Sequence, residues 1–330
     1  MCGIVGAVAR RDVPGILLEG LLRLEYRGYD SAGLAVVGAD DHQLHRRRTV
    51  GKVHKLVENL ARDPVHGTVG IAHTRWATHG APTERNAHPH CSSDELMLVH
   101  NGIIENHAAL RKQLQHEGYV FDSETDTEVV AHLIARERKS TPNLLEAVRK
   151  SMTLLEGAFG LGVISRDEPD RIIAARSGSP LVVGIGIGEN FIASDVLALR
   201  PVTDRFIFLE EGDLVEVTVD TVRLWDANNH VVVRPTVTVD MGAEDVDKGS
   251  YRHHMAKEIH EQPRVVRATL EGRLGKRAIL EEAFGVHTKE VLDAIDAVTI
   301  VACGGNQADA LTCCRLEYRF QAVRWCVATK

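Results

Sequence analysis

No stretch of the 330-residue sequence approaches the roughly 20 consecutive apolar residues that a membrane helix needs, so no spanning helix is expected. The N-terminus has no charged segment followed by an apolar one, which excludes a signal peptide and makes a cytoplasmic location the expectation. Basic charge is in short supply: 39 Lys and Arg stand against 46 Asp and Glu, a formal net charge of −7. That balance gives no electrostatic footprint for nucleic acid or an anionic membrane. A small molecule or another protein is the expected partner. Cysteine is also sparse. Cys2, Cys91, Cys303, Cys313, Cys314 and Cys326 do not make a disulfide framework in a chain of this length without a secretory signal. Internal repeats and low-complexity segments are absent.

What is present reads as an ordinary globular chain, 44% hydrophobic and 26% charged, long enough to bury one large core or two modest ones. Residues 3–240 form a dense succession of short strands and amphipathic helices. Runs rich in Val and Ile, separated by Gly, Asp and Asn, predict strands at Ile4–Ala9, Gly33–Val37, Thr68–His73, Leu96–His100, Gly160–Ser165 and Arg171–Ala175. A second group falls at Leu181–Ile187, Phe191–Ala193, Arg205–Leu209, Asp213–Val217 and Val222–Trp225. Helical stripes run through Leu17, Leu18, Leu21 and Leu22, through Val129, Val130, Leu133 and Ile134, and through Leu144, Leu145, Val148, Met152 and Leu155. Asn143 followed by Glu146 is a capping pair at the start of the last of these. The helices do not alternate one per strand, which favours antiparallel sheets with helical layers, an α+β class, over a doubly wound parallel sheet. A polar, glycine-bearing stretch at residues 239–253 marks a composition break, and a linker is expected over residues 241–265. Helical patterns then resume from about Met255 to Ile295, before a buried-strand run at Val298–Ala302.

The second residue carries the first chemical signal. Trimming of Met1 would leave Cys2 with a thiol and a free α-amine on one residue. The amine's ordinary pKa is about 8, close to the working pH at which a general base is most effective. One residue can then supply both nucleophile and base. Gly3-Ile4-Val5-Gly6 is apolar and strand-like, so the terminus is drawn into a core instead of fraying.

Met1-Cys2-Gly3-Ile4-Val5-Gly6 resembles the start of the class II glutamine amidotransferases, members of the N-terminal nucleophile hydrolase superfamily. Tyr26-Arg27-Gly28-Tyr29-Asp30-Ser31 and His73-Thr74-Arg75-Trp76-Ala77-Thr78-His79-Gly80 narrow the resemblance to the glutamine–fructose-6-phosphate aminotransferase (isomerizing) family. It runs with few gaps from Met1 to about Gly304. It implies a four-layer αββα sandwich of antiparallel sheets, with a glutaminase domain over residues 1–240. It also implies that glutamine is hydrolysed through a thioester on Cys2, with no cofactor.

Glutamine presents a carboxylate, an ammonium and the reacting amide, so three kinds of partner are needed. Arg75 is suited to the carboxylate, because a guanidinium can hold it with two parallel hydrogen bonds. The resemblance gives Trp76, Thr78 and His79 to the walls of the pocket, with His79 a binding or structural residue and not the base. Asp126 lies in Ser123-Glu124-Thr125-Asp126-Thr127-Glu128. By itself it reads equally as an acid placed against a helix dipole or as a partner for the ammonium. The resemblance selects the ammonium. Asn101-Gly102 follows Leu96–His100 and by itself reads as a hairpin turn. In the family the pair forms the oxyanion hole, from the Asn101 side-chain amide and the Gly102 backbone N–H. Arg27 is expected to help hold the loop around the nucleophile. His88-Pro89-His90-Cys91 lacks structural-zinc spacing, so no metal is expected. Gly184, Gly186 and Gly188 do not fit the dinucleotide fingerprint.

Beyond Gly304 the resemblance stops. A family member continues Cys-Gly-Thr-Ser into a sugar-isomerase half, whereas here Gly305 and Asn306 follow, then a Cys- and Arg-rich segment. Residues 266–330 are therefore expected to be an incomplete, divergent start of a sugar-isomerase domain, the product of a frameshift, truncation or rearrangement. The partners implied are L-glutamine, fructose 6-phosphate only in the full-length family enzyme, and a possible second copy of the chain in a homodimer. The alternative reading is a catalytically silent fragment that binds glutamine or a full-length synthase subunit.

Overall fold

A computed structural model describes residues 2–26, 28–76, 80–239, 251, 254–270, 294, 297–302 and 322–327. The chain divides into two compact units, Met1–Asp247 and Lys248–Lys330. The strands of the first unit are β1 (Gly3–Ala9), β2 (Ser31–Val37), β3 (Leu44–Val50), β4 (Val69–Arg75), β5 (His90–Ser92), β6 (Leu96–Ile104), β7 (Gly157–Ser165) and β8 (Glu168–Ser177). They continue with β9 (Val182–Ile185), β10 (Glu189–Ala193), β11 (Arg205–Phe208), β12 (Leu214–Thr218), β13 (Val222–Trp225), β14 (Val231–Val232) and β15 (Thr236–Thr238). The helices are α1 (Pro14–Leu24), α2 (Val53–Arg62), α3 (His107–His116), α4 (Asp126–Arg138) and α5 (Leu144–Met152).

Two antiparallel sheets stack face to face. One has the order β15-β11-β9-β10-β1-β4-β2-β3 and the other β14-β13-β12-β8-β7-β6-β5. Alternation along β1 shows how the layers form, since successive side chains in a strand point to opposite faces. Val5, Ala7 and Ala9 pack with Leu17, Leu21 and Leu24 of α1 and Leu56 and Leu60 of α2. Ile4 and Val8 point the other way, into the core shared with Val99, Ile164, Ile172 and Ala174 of the second sheet. The far face of that sheet, with Leu98, Leu161 and Ile173, packs on Val130 and Ile134 of α4 and on Leu144 and Val148 of α5. The result is a four-layer αββα sandwich. Because the central strands are covered on both faces, β1, β2 and β4 are buried along their whole length. Each fully buried leucine contributes about 2 kcal/mol of burial.

Local signals act as the sequence indicates at several points. Pro14 opens α1, where a missing N–H costs nothing. The Asn143 side chain accepts the Glu146 N–H at 2.9 Å and starts α5. Two details differ. The helix α5 ends at Met152, so Leu155 lies beyond it and joins the core from the following loop. Asn101-Gly102 does not end a strand: β6 runs on to Ile104, with Asn101 opposite Gly160 and Gly102 opposite Phe159. Gly102 has φ +129°, and a Cβ there would lie 1.9 Å from the Ala158 carbonyl oxygen. Only glycine fits that position.

In the second unit, α6 (His254–Leu270) occupies the start of the expected helical stretch. The strand expected at Val298–Ala302 is β16 (Ala297–Ala302), paired in parallel with β17 (Ala322–Val327) in the Cys- and Arg-rich segment.

Candidate active site

The register of the first sheet brings the N-terminal cysteine to the end of β4. Gly3 pairs with Thr74 across β1 and β4, so Cys2 falls beside Arg75 and Trp76. The Trp76 N–H donates to Cys2 Sγ at 3.2 Å, and the thiol faces the Trp76 carbonyl at 3.5 Å. Burial pushes the Cys2 thiol above its ordinary value; the Trp76 N–H and the Arg75 charge work in the opposite direction. At neutral pH the sulfur therefore holds its proton, and attack requires a base.

Strand β6 reaches the same place from the second sheet. Asn101 Nδ2 donates to the Cys2 carbonyl oxygen at 3.2 Å. Asn101 Oδ1 faces His73 Nε2 at 3.0 Å, and the same ring nitrogen faces the His100 carbonyl oxygen at 3.0 Å. Cys2, Arg75, Trp76, His88, His100, Gly102, Thr125 and Asp126 line one cleft of about 260 Å³, solvent mouth included.

Arg75 is buried at 3% exposure. Its guanidinium donates to the Gly80 carbonyl at 3.1 Å and the Ala81 carbonyl at 3.4 Å, and Asp30 Oδ1 lies 3.9 Å away. Asp126 is the first residue of α4. The capping task there belongs to Thr125, whose hydroxyl accepts the Glu128 N–H at 3.3 Å. One Asp126 oxygen accepts the Ile104 N–H at 2.9 Å, which turns the carboxylate toward β6 and the cleft. The loop before α4 is pinned twice. Glu128 accepts the Asp122 and Ser123 N–H groups at 2.8 and 2.7 Å, and Arg111 donates to the Ser123 and Thr125 carbonyls at 3.0 and 2.7 Å. Asn86 then ties this loop to the one after β4, donating to the Ala81 carbonyl and to Glu124 at 3.0 Å each.

Sequence reasoning missed the layer beneath the cleft. His73, His88, His90 and His100 are all buried. His73 and His88 stack at 3.9 Å, nearly parallel, and His88 meets His90 edge-on. The rings of His88 and His100 face the Thr127 hydroxyl at 3.3 and 3.1 Å, and His90 faces the Thr125 hydroxyl at 3.1 Å. Burial holds His73 down to about 3 and keeps His88 and His90 well below the usual histidine range. His73, His88 and His90 are therefore neutral. The density of histidines between positions 73 and 100 was the available signal, but their convergence needs the register of both sheets.

The structure thus brings Cys2, Asn101, Gly102, Arg75, Trp76 and Asp126 together. Arg27, Thr78 and His79 lie outside the described residues.

Residues 73–201 match the glutamine amidotransferase domain family. Over these residues the chain is similar to that family. Over 304 residues it is 60% identical to the glutamine–fructose-6-phosphate aminotransferase (isomerizing) of Pseudomonas syringae pv. tomato, across 92% of this chain and 50% of that protein. The protein of the same name from Pseudomonas aeruginosa is also 60% identical, with the same coverage. The chain spans about half the length of the curated relatives it matches. Among solved structures, the glutamine phosphoribosylpyrophosphate amidotransferase of B. subtilis, complexed with ADP and GMP, aligns with a TM-score of 0.61 at 25% identity, covering 70% of this chain and 50% of that one. A structure described as the allosteric regulatory enzyme of purine biosynthesis aligns equally well, at 26% identity over 68% of this chain and 49% of that one. The αββα sandwich of the first unit is therefore shared with these two structures.

Proposed function

We propose that residues 1–240 form a glutaminase domain that hydrolyses the side-chain amide of L-glutamine, with Cys2 as nucleophile once Met1 is removed. The observation that carries this is the convergence of Cys2, Arg75, Gly102 and Asp126 on one small cleft, with Asn101 bonded to the Cys2 carbonyl beside it. Arg75 receives the substrate carboxylate and Asp126 the ammonium. The Cys2 α-amine takes the thiol proton as sulfur attacks the amide carbon, and the developing oxyanion is met by Asn101 Nδ2 and the Gly102 N–H. The protonated amine then gives its proton to the leaving nitrogen, and ammonia departs from a glutamyl thioester. Water cleaves the thioester, releasing glutamate and restoring the thiol.

Trp76 lines the pocket, and Thr78, His79 and Arg27 are assigned to substrate binding with it. We assign to this chain the glutamine half-reaction, which in the full-length relatives would feed fructose 6-phosphate. Residues 241–265 act as linker, and 266–330 begin a sugar-isomerase-like region. Glutamate release by the purified chain, followed beside Cys2→Ala and with intact mass to locate Met1, tests the reading. Release that needs Cys2 and a trimmed N-terminus supports it; no release from trimmed chain favours a silent glutamine-binding fragment.

A further inference from the structure

An oxyanion donor is useful only if it faces the reacting carbon, and a primary amide is nearly symmetric in shape. Rotating the Asn101 side-chain amide by half a turn would exchange its NH2 group for its oxygen. Two fixed carbonyls set the direction. The Cys2 carbonyl lies 3.2 Å from Nδ2 and can only accept. On the other side stands His73, whose Nε2 is 3.0 Å from the His100 carbonyl and 3.0 Å from Asn101 Oδ1. A carbonyl next to Nε2 requires the proton on Nε2, and that N–H then requires an oxygen from Asn101. The ring cannot turn to offer the other edge. It is 1% exposed, stacked on His88 at 3.9 Å, and its Nδ1 is buried without a partner among the described residues. Because burial holds the ring neutral, the second nitrogen stays unprotonated and the tautomer does not vary with ordinary pH.

We propose that His73 is a positioning residue that locks the Asn101 amide with its NH2 group toward the nucleophile. It touches neither the substrate nor the sulfur. Its unpaired Nδ1, a destabilising feature of a buried polar atom, is consistent with a ring retained for its one N–H donor. This role rests on the proposed glutaminase reaction, but the orientation can be read without turnover.

The test uses the full chain with His73→Met, which keeps bulk and removes the donor, and His73→Gln, which restores an N–H. His73→Met should lower kcat about 100-fold, approaching the loss of an oxyanion donor, while KM for glutamine changes less than about threefold. His73→Gln should recover most of that loss. In an Asn101→Ala background the His73→Met change should cost less than about threefold more, because the group it acts through is gone. Equal losses in both backgrounds, or a loss confined to KM, would overturn the proposal. Nitrogen-15 spectra of histidine-labelled chain supply the readout that needs no activity: His73 should carry its proton on Nε2 from pH 5 to 8. A proton on Nδ1, or titration in that range, would refute the lock even in an active enzyme. A wild-type chain without glutaminase activity but with that tautomer would sink the proposed reaction and leave the lock standing.

Discussion

The two walls of the cleft are built in different ways. The first sheet contributes Cys2, Arg75 and Trp76 from strand ends, and this wall is half open: Trp76 is 45% exposed and meets Tyr29, itself 50% exposed, edge-on at 5.4 Å. Its charged member is held by carbonyls of the adjoining loop. The second sheet and α4 contribute Asn101, Gly102 and Asp126, backed by buried histidines and threonine hydroxyls. The open wall is suited to capture, where a charged ligand must arrive from water. The second wall is suited to the transition state, since donors fixed on a strand need no reorganisation when charge develops. Substitutions in the first wall should therefore register mainly in KM, and those in the second in kcat or stability.

The largest expected effect comes from the buried layer itself. His73, His88 and His90 are held neutral by burial, so their folded pKa values lie below the unfolded value near 6.5. The unfolded chain then binds more protons as pH falls below 6.5. Stability present at pH 7 is lost on acidification, about 2 kcal/mol for His73 by pH 5, with His88 and His90 acting in the same direction. Chemical unfolding at pH 7 and pH 5 measures this, and a flat profile would mean the rings are not buried neutral. Gly102→Ala ranks next. The 1.9 Å approach to Ala158 and the positive φ should cost about 4 kcal/mol, seen as a lowered Tm or as insoluble chain. Asn101→Ala should remove about 3 kcal/mol of transition-state stabilisation, lowering kcat roughly 100-fold with little change in KM. Arg75→Lys loses the two-pronged geometry and should raise KM by about 10- to 30-fold while largely sparing kcat. If Arg75→Lys lowered kcat as much as Asn101→Ala, the division between walls would fail.

The strands and helices whose faces pack on a core were legible because burial writes periodicity into sequence. The stripe Leu17, Leu21 became α1, and Val222–Trp225 is the thirteenth strand at the expected bounds. Strand β3 was not expected because Arg46-Arg47-Arg48 interrupts any apolar alternation. It is an edge strand, where such charges oppose pairing with another chain. Arg46 and Arg48 nonetheless work, donating to the carbonyls of Pro89, Arg85 and Ala87 and so fixing the segment that carries His88 and His90. The helix α2 was missed because its apolar face is only Val53, Leu56 and Leu60. At the site, the motif residues could be named from sequence, but the histidine layer could not. Its members come from β4, β5, β6 and the turn before β5, and nothing local says that two sheets will stack them.

The central claim is a covalent step at Cys2, and the most direct measurement is the intact and peptide mass of the chain quenched in acid during turnover of glutamine. A glutamyl adduct is expected on the peptide that begins with Cys2, absent in Cys2→Ala and accumulating when water attack is slowed. Glutamate formation with no adduct on that peptide at any quench time, or at an undiminished rate in Cys2→Ala, would contradict it.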